Sequence, residues 1–516
     1  MKTIIAEKPS VAREIARIVG ATKREEGYFE GGGYAVTWAF GHLVQLAMPD
    51  DYGIRGFVRD NLPVIPETFT LVPRQVKTDK GYKADAAAVK QIKVITKLWN
   101  ESDSIIVATD CAREGELIFR LVYEKAGCQK PVKRLWISSL EESAIREGVR
   151  SLKPGTAYDA LYHAALCRAQ ADWLVGINGT RLYSRLYGTK LNVGRVMTPT
   201  LAMVAQREKE IAAFQVERFY TVQLSCGFPA QSGRIKMREE AERIRASCHC
   251  KKAAVKQIER RQKKEKPPKL YDLTTLQREA NRVFGYTAKQ TLDYAQSLYE
   301  KKLLTYPRTD SRYLTTDMAE TASAVLHLAA KVPPFDGCGE FFPDVSLLVN
   351  DRKVSDHHAI LPTLELEKAD LSELPVGERN LLLLVCRELL CAVAEPYVYE
   401  AVTANFTCGG QAFTAKGRYV LSLGWKDIDR IFRASLKEQP EGEAEPAALL
   451  DFTEGQLFDQ VEAAVTEHFT APPKAYTEDT LLAAMETAGK EEMPEDAERK
   501  GLGTPATRAG ILEKLV

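Results

Sequence analysis

The sequence predicts a multidomain protein of α/β plus α+β class: an N-terminal, mostly parallel sheet flanked by helices, followed by helical and β-containing regions in which one domain interrupts another. Three observations carry the prediction. Strand-like apolar runs that lead into helix-start signals recur at residues 2–6 (KTIIA), 104–109 (SIIVAT) and 134–138 (RLWIS). Extended segments, FYTVQLSC near 219–226 and YEAVTANFTCGGQAFTAKGRYVL from 399, lie on both sides of a helical block, the pattern of a domain split by an insertion. The chain has 516 residues, 45% hydrophobic and 27% charged, too many for one ordinary domain and apolar enough for several large cores.

Taken in order, the run at 2–6 ends at Glu7, and Pro9 suits the first turn of a helix that Gly20 stops. A helix is expected from about Glu114 after the run at 104–109. Ser139 and Glu142 read as a capping box after 134–138. Repeated strand-helix units of this kind build a parallel sheet with helices on its faces. From about 155 the pattern is helical (ALYHAALCRAQADWLVGING), then extended, then broken by a Lys-rich stretch at 250–269; a second helical region runs from about 272 to 400. No short repeat is present.

Composition narrows the function classes. No apolar run reaches the length of a signal peptide core or a membrane span, so the chain reads as soluble and cytoplasmic, with no membrane partner. The ten cysteines include no Cys-x-x-Cys pair, which argues against a zinc ribbon and against a secreted disulfide framework. Cys248-His249-Cys250 lacks a second ligand pair and reads as a surface turn. A net charge of +1 does not advertise nucleic-acid binding, yet basic residues dominate Lys251 to Lys269 and acidic ones Glu438 to Glu467. That asymmetry suits a DNA-facing side, but taken alone it reads better as a solvated charged linker.

Two groups of residues carry chemistry. In a parallel sheet the carboxyl ends of the strands share one edge, which brings Glu7 beside Asp110 and Glu114. Carboxylates gathered there suit Mg2+, a hard cation that prefers oxygen ligands and keeps several waters. Taken singly, Asp110 reads more readily as a helix cap and Glu114 as a favourable first-turn acid. The second group is KKLLTYPRTDSRYL at residues 301–314. A tyrosine hydroxyl has an ordinary pKa of about 10, so Tyr306 needs nearby positive charge or a proton acceptor to attack a phosphodiester, and Arg308 and Arg312 offer the charge. A guanidinium fork matches two phosphate oxygens and stays ionised.

ATDCAREGELIFR at 108–120 and IIAEKPS at 4–10 resemble the Toprim signature, a glutamate after one strand and an Asp-x-Asp-x-Glu run after another. Glu7, Asp110 and Glu114 match it, whereas Ala112 replaces the second aspartate, a small residue also seen in the topoisomerase III branch. Tyr-Pro-Arg-Thr-Asp-Ser resembles the active-site motif of type IA DNA topoisomerases. The resemblance runs nearly end to end and in family order. It implies Tyr306 as nucleophile, Arg308 beside it, Lys8 as a contact to the scissile phosphate, and His357 of VSDHHAILPT near the cleaved strand.

GRVMTPTLAMV from Gly194 and GLGTPATRAGI from Gly501 resemble family motifs lining the single-strand groove. In each, a Thr-Pro pair (Thr198-Pro199 and Thr504-Pro505) opens a helix whose N-terminus attracts phosphate, with Arg195 and Arg508 adding charge. Met197 stands where many relatives carry glutamine.

The fold implied is toroidal: a Toprim domain (1–153), a domain IV in two parts (154–215 and 471–516, the second cut short), a domain II in two parts (216–271 and 406–470), and a domain III (272–405) bearing Tyr306. The activity implied is ATP-independent, transient cleavage of one DNA strand through a 5′-phosphotyrosine, with strand passage and religation, on single-stranded or negatively supercoiled DNA. The expected enzyme is a monomer. Two alternatives stand beside it: another Toprim nuclease or primase, and a catalytically impaired DNA-binding remnant.

Overall fold

A computed structural model describes residues 1–78, 81–225, 229–337, 344–354, 357–436, 452–491 and 501–515. Part of the acidic stretch that begins at Glu438, and Ser355 and Asp356 of the VSDHHAILPT segment, lie outside these residues.

The N-terminal domain is built on a seven-stranded sheet. Its centre is the strand Lys2–Ala6, parallel to Tyr34–Trp38 on one side and to Ser104–Ala108 on the other, and Ser104–Ala108 is parallel in turn to Val132–Arg134. The register pairs Ala6 with Ala108, so the residues that follow the two strands emerge at the same edge. Continuous apolar runs suit strands covered on both faces, and Ile4, Ile5, Ile105, Ile106 and Val107 are all buried. Pro9–Val19 and Arg113–Lys125 are the helices that leave this edge. Gly20, at φ 81°, closes the first of them as its sequence position predicts.

The capping box at Ser139 does not form. The helix begins at Glu142 with Glu141 at its N-cap, because the Ser139 hydroxyl is taken up two residues on, accepting the Glu141 N–H at 3.1 Å.

Residues Arg218–Ser225, Pro229–Gln231, Lys251–Glu265, Tyr397–Cys408, Gln411–Ser422 and Leu457–Phe469 close into a barrel around a core of its own. Three sequence expectations are corrected here. The Lys-rich stretch is a strand and not a linker: its backbone pairs residue by residue with Tyr397–Cys408, while Ala253 and Val255 turn inward between the lysines. The boundary expected at 405 falls inside the strand Tyr397–Cys408, so the barrel takes in the chain from 397. Cys248 is no surface residue, since it ends the helix Arg238–Cys248 and is fully buried in the barrel core; His249 and Cys250 form the exposed turn that follows.

Between the barrel halves, the helices Leu273–Phe284, Ala288–Glu300, Ala319–Ala329 and Val376–Ala392 form a helical domain around a large apolar cluster. Asp272 and Thr287 cap the first two through their side chains. The long helix Asp159–Tyr187 and the helix Met197–Ala212 complete the chain's middle region, and Pro505–Leu515 packs against Val196 and Leu273 in a separate small cluster. No helix among the described residues is long and apolar enough to cross a membrane.

Candidate active site

The site forms where the helical domain meets the carboxyl edge of the N-terminal sheet. Glu7 follows the first strand and is buried; the Asp110 N–H donates to Glu7 Oε2 at 3.2 Å. Burial, then the nearby Asp110 charge, push the Glu7 carboxyl up to about 7.

The loop from Thr109 to Gly115 is held tightly: Thr109 Oγ1 donates to the Gly115 carbonyl at 2.8 Å. A Cβ at Gly115 would stand 2.0 Å from the Asp110 carbonyl, so only glycine admits this approach of helix to loop. Ala112 occupies the N-cap of the helix and, as its methyl dictates, caps nothing.

A residue that sequence reading passed over organises this loop. Arg134 is 1% exposed. Its Nη1 donates to the carbonyls of Val107 (3.0 Å), Thr109 (2.8 Å) and Leu135 (3.2 Å), its Nη2 to that of Asp110 (2.8 Å), and its Nε faces the buried Glu116 at 3.3 Å. The guanidinium fork thus fastens the strand end that carries Asp110.

From the other domain, Tyr306 enters this edge almost fully buried, at 2% exposure. Its N–H donates to the Ser138 carbonyl at 3.0 Å, and its hydroxyl donates to Asp110 Oδ2 at 3.2 Å. Burial and the charge of Asp110 hold the hydroxyl well above its ordinary pKa. Arg308 approaches the same Asp110 oxygen at 3.8 Å, and its buried Nε has no hydrogen-bond partner among the described residues. An orphaned guanidinium N–H beside a tyrosine hydroxyl is a seat for an incoming anionic oxygen.

His357 lies against Tyr306, ring centroids 4.4 Å apart. Its Nε2 donates to the Cys111 carbonyl at 2.5 Å, so its Nδ1 accepts from the Ser138 hydroxyl at 2.9 Å. Burial drops its pKa to about 4, and the ring is neutral. Lys8 reaches across to Glu300 at 2.8 Å, and Lys302 to Glu14 at 2.5 Å. Four side chains of the helical domain therefore grip the sheet edge around Tyr306.

Other sequence candidates stand differently. Glu114 accepts from His42 Nε2 at 2.5 Å, which lowers its pKa. His42 gave no signal in the sequence, since it lies on a loop far from either motif. Among the described residues no group of three His, Cys, Asp or Glu side chains is gathered to cage a metal. The oxygen-only donors still suit Mg2+ in its mostly hydrated form, anchored by one or two carboxylates.

Arg312 points to the backbone, donating to the carbonyls of Leu270 (2.9 Å) and Lys269 (3.1 Å). Arg195, 39% exposed, pairs with Asp172 at 2.6 Å. Thr198 does not cap its helix: Val196 holds the N-cap, and Thr198 lies inside the first turn, accepting the Gly194 N–H at 3.0 Å. Thr504 does precede the helix that Pro505 opens. Arg508, however, is 2% exposed and is bound to the Leu502 carbonyl, Thr274 Oγ1 and Glu486, so it fastens that helix from within and presents no charge to a groove.

Comparison with known proteins accords with this geometry. A family profile described as "DNA topoisomerase" matches residues 156–516, and one described as "Toprim domain" matches residues 2–140. The chain is 39% identical to "DNA topoisomerase 3" of Bacillus subtilis over 99% of its own length and 72% of that protein. It is 38% identical to the protein of that name in Shouchella clausii, over 100% of its own length and 71% of the relative. Its fold is shared with full-length topoisomerase I of Thermotoga maritima, at a TM-score of 0.73 and 22% identity, over 100% of this chain and 78% of that one. The chain belongs to the type IA DNA topoisomerases, in their topoisomerase 3 branch.

Proposed function

We propose that Tyr306 cleaves one strand of single-stranded or underwound DNA, that another strand passes through the gap, and that religation relaxes or decatenates the DNA. The observation that carries the assignment to Tyr306 is its hydroxyl, 3.2 Å from Asp110 Oδ2 and beside the orphaned Nε of Arg308.

In the step itself the Tyr306 oxygen forms a bond to phosphorus as the bond from phosphorus to the 3′-oxygen breaks. The product is a 5′-phosphotyrosine and a free 3′-hydroxyl. Asp110 Oδ2 is placed to take the phenolic proton. Glu7, with a carboxyl raised to about 7, is protonated often enough near neutral pH to supply the proton that the departing 3′-oxygen needs. Glu7, raised by burial, does the acid work, and Asp110, hydrogen-bonded to the phenol, does the base work. Arg308 and Lys8 bind the non-bridging phosphate oxygens, Arg308 as the contact that strengthens when charge develops in the transition state.

Asp110 and Glu114, with Glu7 nearby, are the residues that would hold Mg2+. When bound, the ion supplies positive charge that keeps the two DNA ends in place for religation. No ATP is required, because the phosphotyrosine conserves the energy of the broken bond. The enzyme acts as a monomer in the cytoplasm.

Tyr306→Phe removes only the attacking oxygen. Denaturing gels of a labelled single-stranded oligonucleotide should show the covalent adduct with the parent and none with the variant, while strand binding survives. An adduct of parental yield in Tyr306→Phe would remove the assignment, and an enzyme that cuts without any adduct would be a Toprim nuclease instead.

A further inference from the structure

The antiparallel ribbon of the barrel carries a charged surface that the cleavage site does not use. Lys251–Glu265, Tyr397–Cys408 and Gln411–Ser422 run side by side, and their register sets Glu259, Thr403 and Lys416 in one row, then Arg261, Ala401 and Arg418, then Lys263, Tyr399 and Val420. Partners directly opposite project from the same face of a sheet. That face is the outer one, because the alternate positions Ala404 and Phe406 fill the barrel core and Val402 is buried.

The outer strands thus form two basic rails, Arg261 with Lys263 and Lys416 with Arg418. About 10 Å separates them, two strand spacings of about 4.8 Å. Between the rails lies a low floor of Ala401 and Thr403. Glu259 folds back on Arg261, but among the described residues no carboxylate pairs with Lys263, Lys416 or Arg418. The barrel core is distinct from the cluster that packs Tyr306, so these rails are no part of the cleavage site.

We infer that this face binds the phosphate backbone of duplex DNA, holding a paired segment while Tyr306 acts on an unpaired one. Basic rails on either side of a smooth floor seat a phosphate ridge from both flanks. Unpaired strands instead bind on aromatic platforms that stack their bases, and the floor offers none between the paired charges; Tyr399 stands only at its end. Lys263, Lys416 and Arg418 lie in two segments more than 150 residues apart, on strands brought together by Tyr397–Cys408. The inference rests on the proposed function only for its purpose, since duplex binding is measured without cleavage.

The test is Lys263→Glu/Lys416→Glu/Arg418→Glu in the full chain, with the glutamine triple variant as a control for charge reversal. Fluorescence anisotropy with a blunt 30-base-pair duplex should show binding weakened about tenfold or more near 0.1 M salt. The salt dependence should flatten by about 0.9 in log–log slope for each lost contact, about 2.7 in all. Adduct formation on a single-stranded oligonucleotide should stay at the parental rate, while relaxation of supercoiled DNA slows. Unchanged duplex affinity and slope in both triple variants would overturn the inference. So would an equal loss of single-strand binding, which would make the rails a single-strand track. A parent without any adduct would reject the proposed function and leave the duplex measurement standing.

Discussion

Replacing Arg134 tests whether the buried guanidinium, and not the carboxylates alone, sets the position of Asp110. Arg134→Ala takes a donor from four carbonyls, those of Val107, Thr109, Leu135 and Asp110, of which Val107 and Asp110 keep the N–H groups of Leu135 and Ala112 at 2.9 Å, and it takes from Glu116 its partner at 3.3 Å. Removing one member of a buried ion pair costs about 3–5 kcal/mol. Glu116 keeps Arg120 at 2.9 Å, and water entering the space vacated can serve part of the carbonyl demand, so the loss is set at the lower end, about 3 kcal/mol. Arg134→Lys retains the charge but offers one compact ammonium with three donors, so it should fall between parent and alanine.

Urea unfolding of the N-terminal domain reads the stability part as a lower midpoint at unchanged slope. Adduct yield on a single-stranded oligonucleotide, measured at a temperature where every variant is folded, reads the positioning part, and it should fall at least about tenfold in Arg134→Ala, the change that 1.4 kcal/mol produces. A lower midpoint with a parental adduct rate would make Arg134 purely structural. Parental values of both would refute the reasoning.

Two further outcomes follow from the same geometry. His357 is buried with a pKa near 4, below the 6.5 of an exposed ring, so the unfolded chain binds the proton first as pH falls; the stability present above pH 6.5 is lost down to pH 4, by about 3 kcal/mol. The stability advantage of the parent over His357→Gln should therefore shrink between pH 7 and pH 4, whereas Glu7, titrating the opposite way, is common to both; a constant gap would contradict the burial argument. Arg308→Ala should slow adduct formation by about 10²–10³-fold with little change in strand affinity, because it removes a contact made to developing charge. If strand affinity alone fell, Arg308 would be a binding residue only.

How much of this was legible from residues depends on the range of the interaction. The sheet edge could be read, because alternation of apolar runs and helix signals is local and because parallel strands share an edge whatever their order; Glu7 and Asp110 do meet there. Tyr306 was legible through its motif, but its contact to Asp110 was not, since 196 residues separate them and no local pattern encodes the docking of two domains. Arg134 and His42 were missed for the same reason: an arginine at a strand end and a histidine in a loop look like surface residues until the fold buries or pairs them. Arg508 failed in the opposite direction. A Thr-Pro helix start followed by arginine reads as a phosphate seat, and the sequence does not tell that Leu502, Thr274 and Glu486 surround the guanidinium. The basic strand at 251–265 was misread as a linker because its lysines mask the alternation of Ala253 and Val255.

The contacts that assemble the proposed nucleophile are also the contacts that join the domains. Tyr306 N–H to Ser138, His357 to Ser138 and Cys111, Lys8 to Glu300 and Lys302 to Glu14 all cross the same interface, and together they leave Tyr306 2% exposed. On the proposed function, a strand would reach the hydroxyl only once this interface parts. Its arrival would then replace what the interface supplied: phosphate oxygens would take over Arg308 and Lys8, and Asp110 would exchange a hydrogen bond from a resting phenol for the proton of a reacting one. Two of the crossing pairs are partly exposed ion pairs, each worth about 0–1 kcal/mol, whereas the ring contact of His357 with Tyr306 is buried. On the proposed function, opening would therefore be coupled to the residues proposed to do the chemistry more than to the lysine ion pairs, and Tyr306 would be exposed when DNA is present to occupy the site.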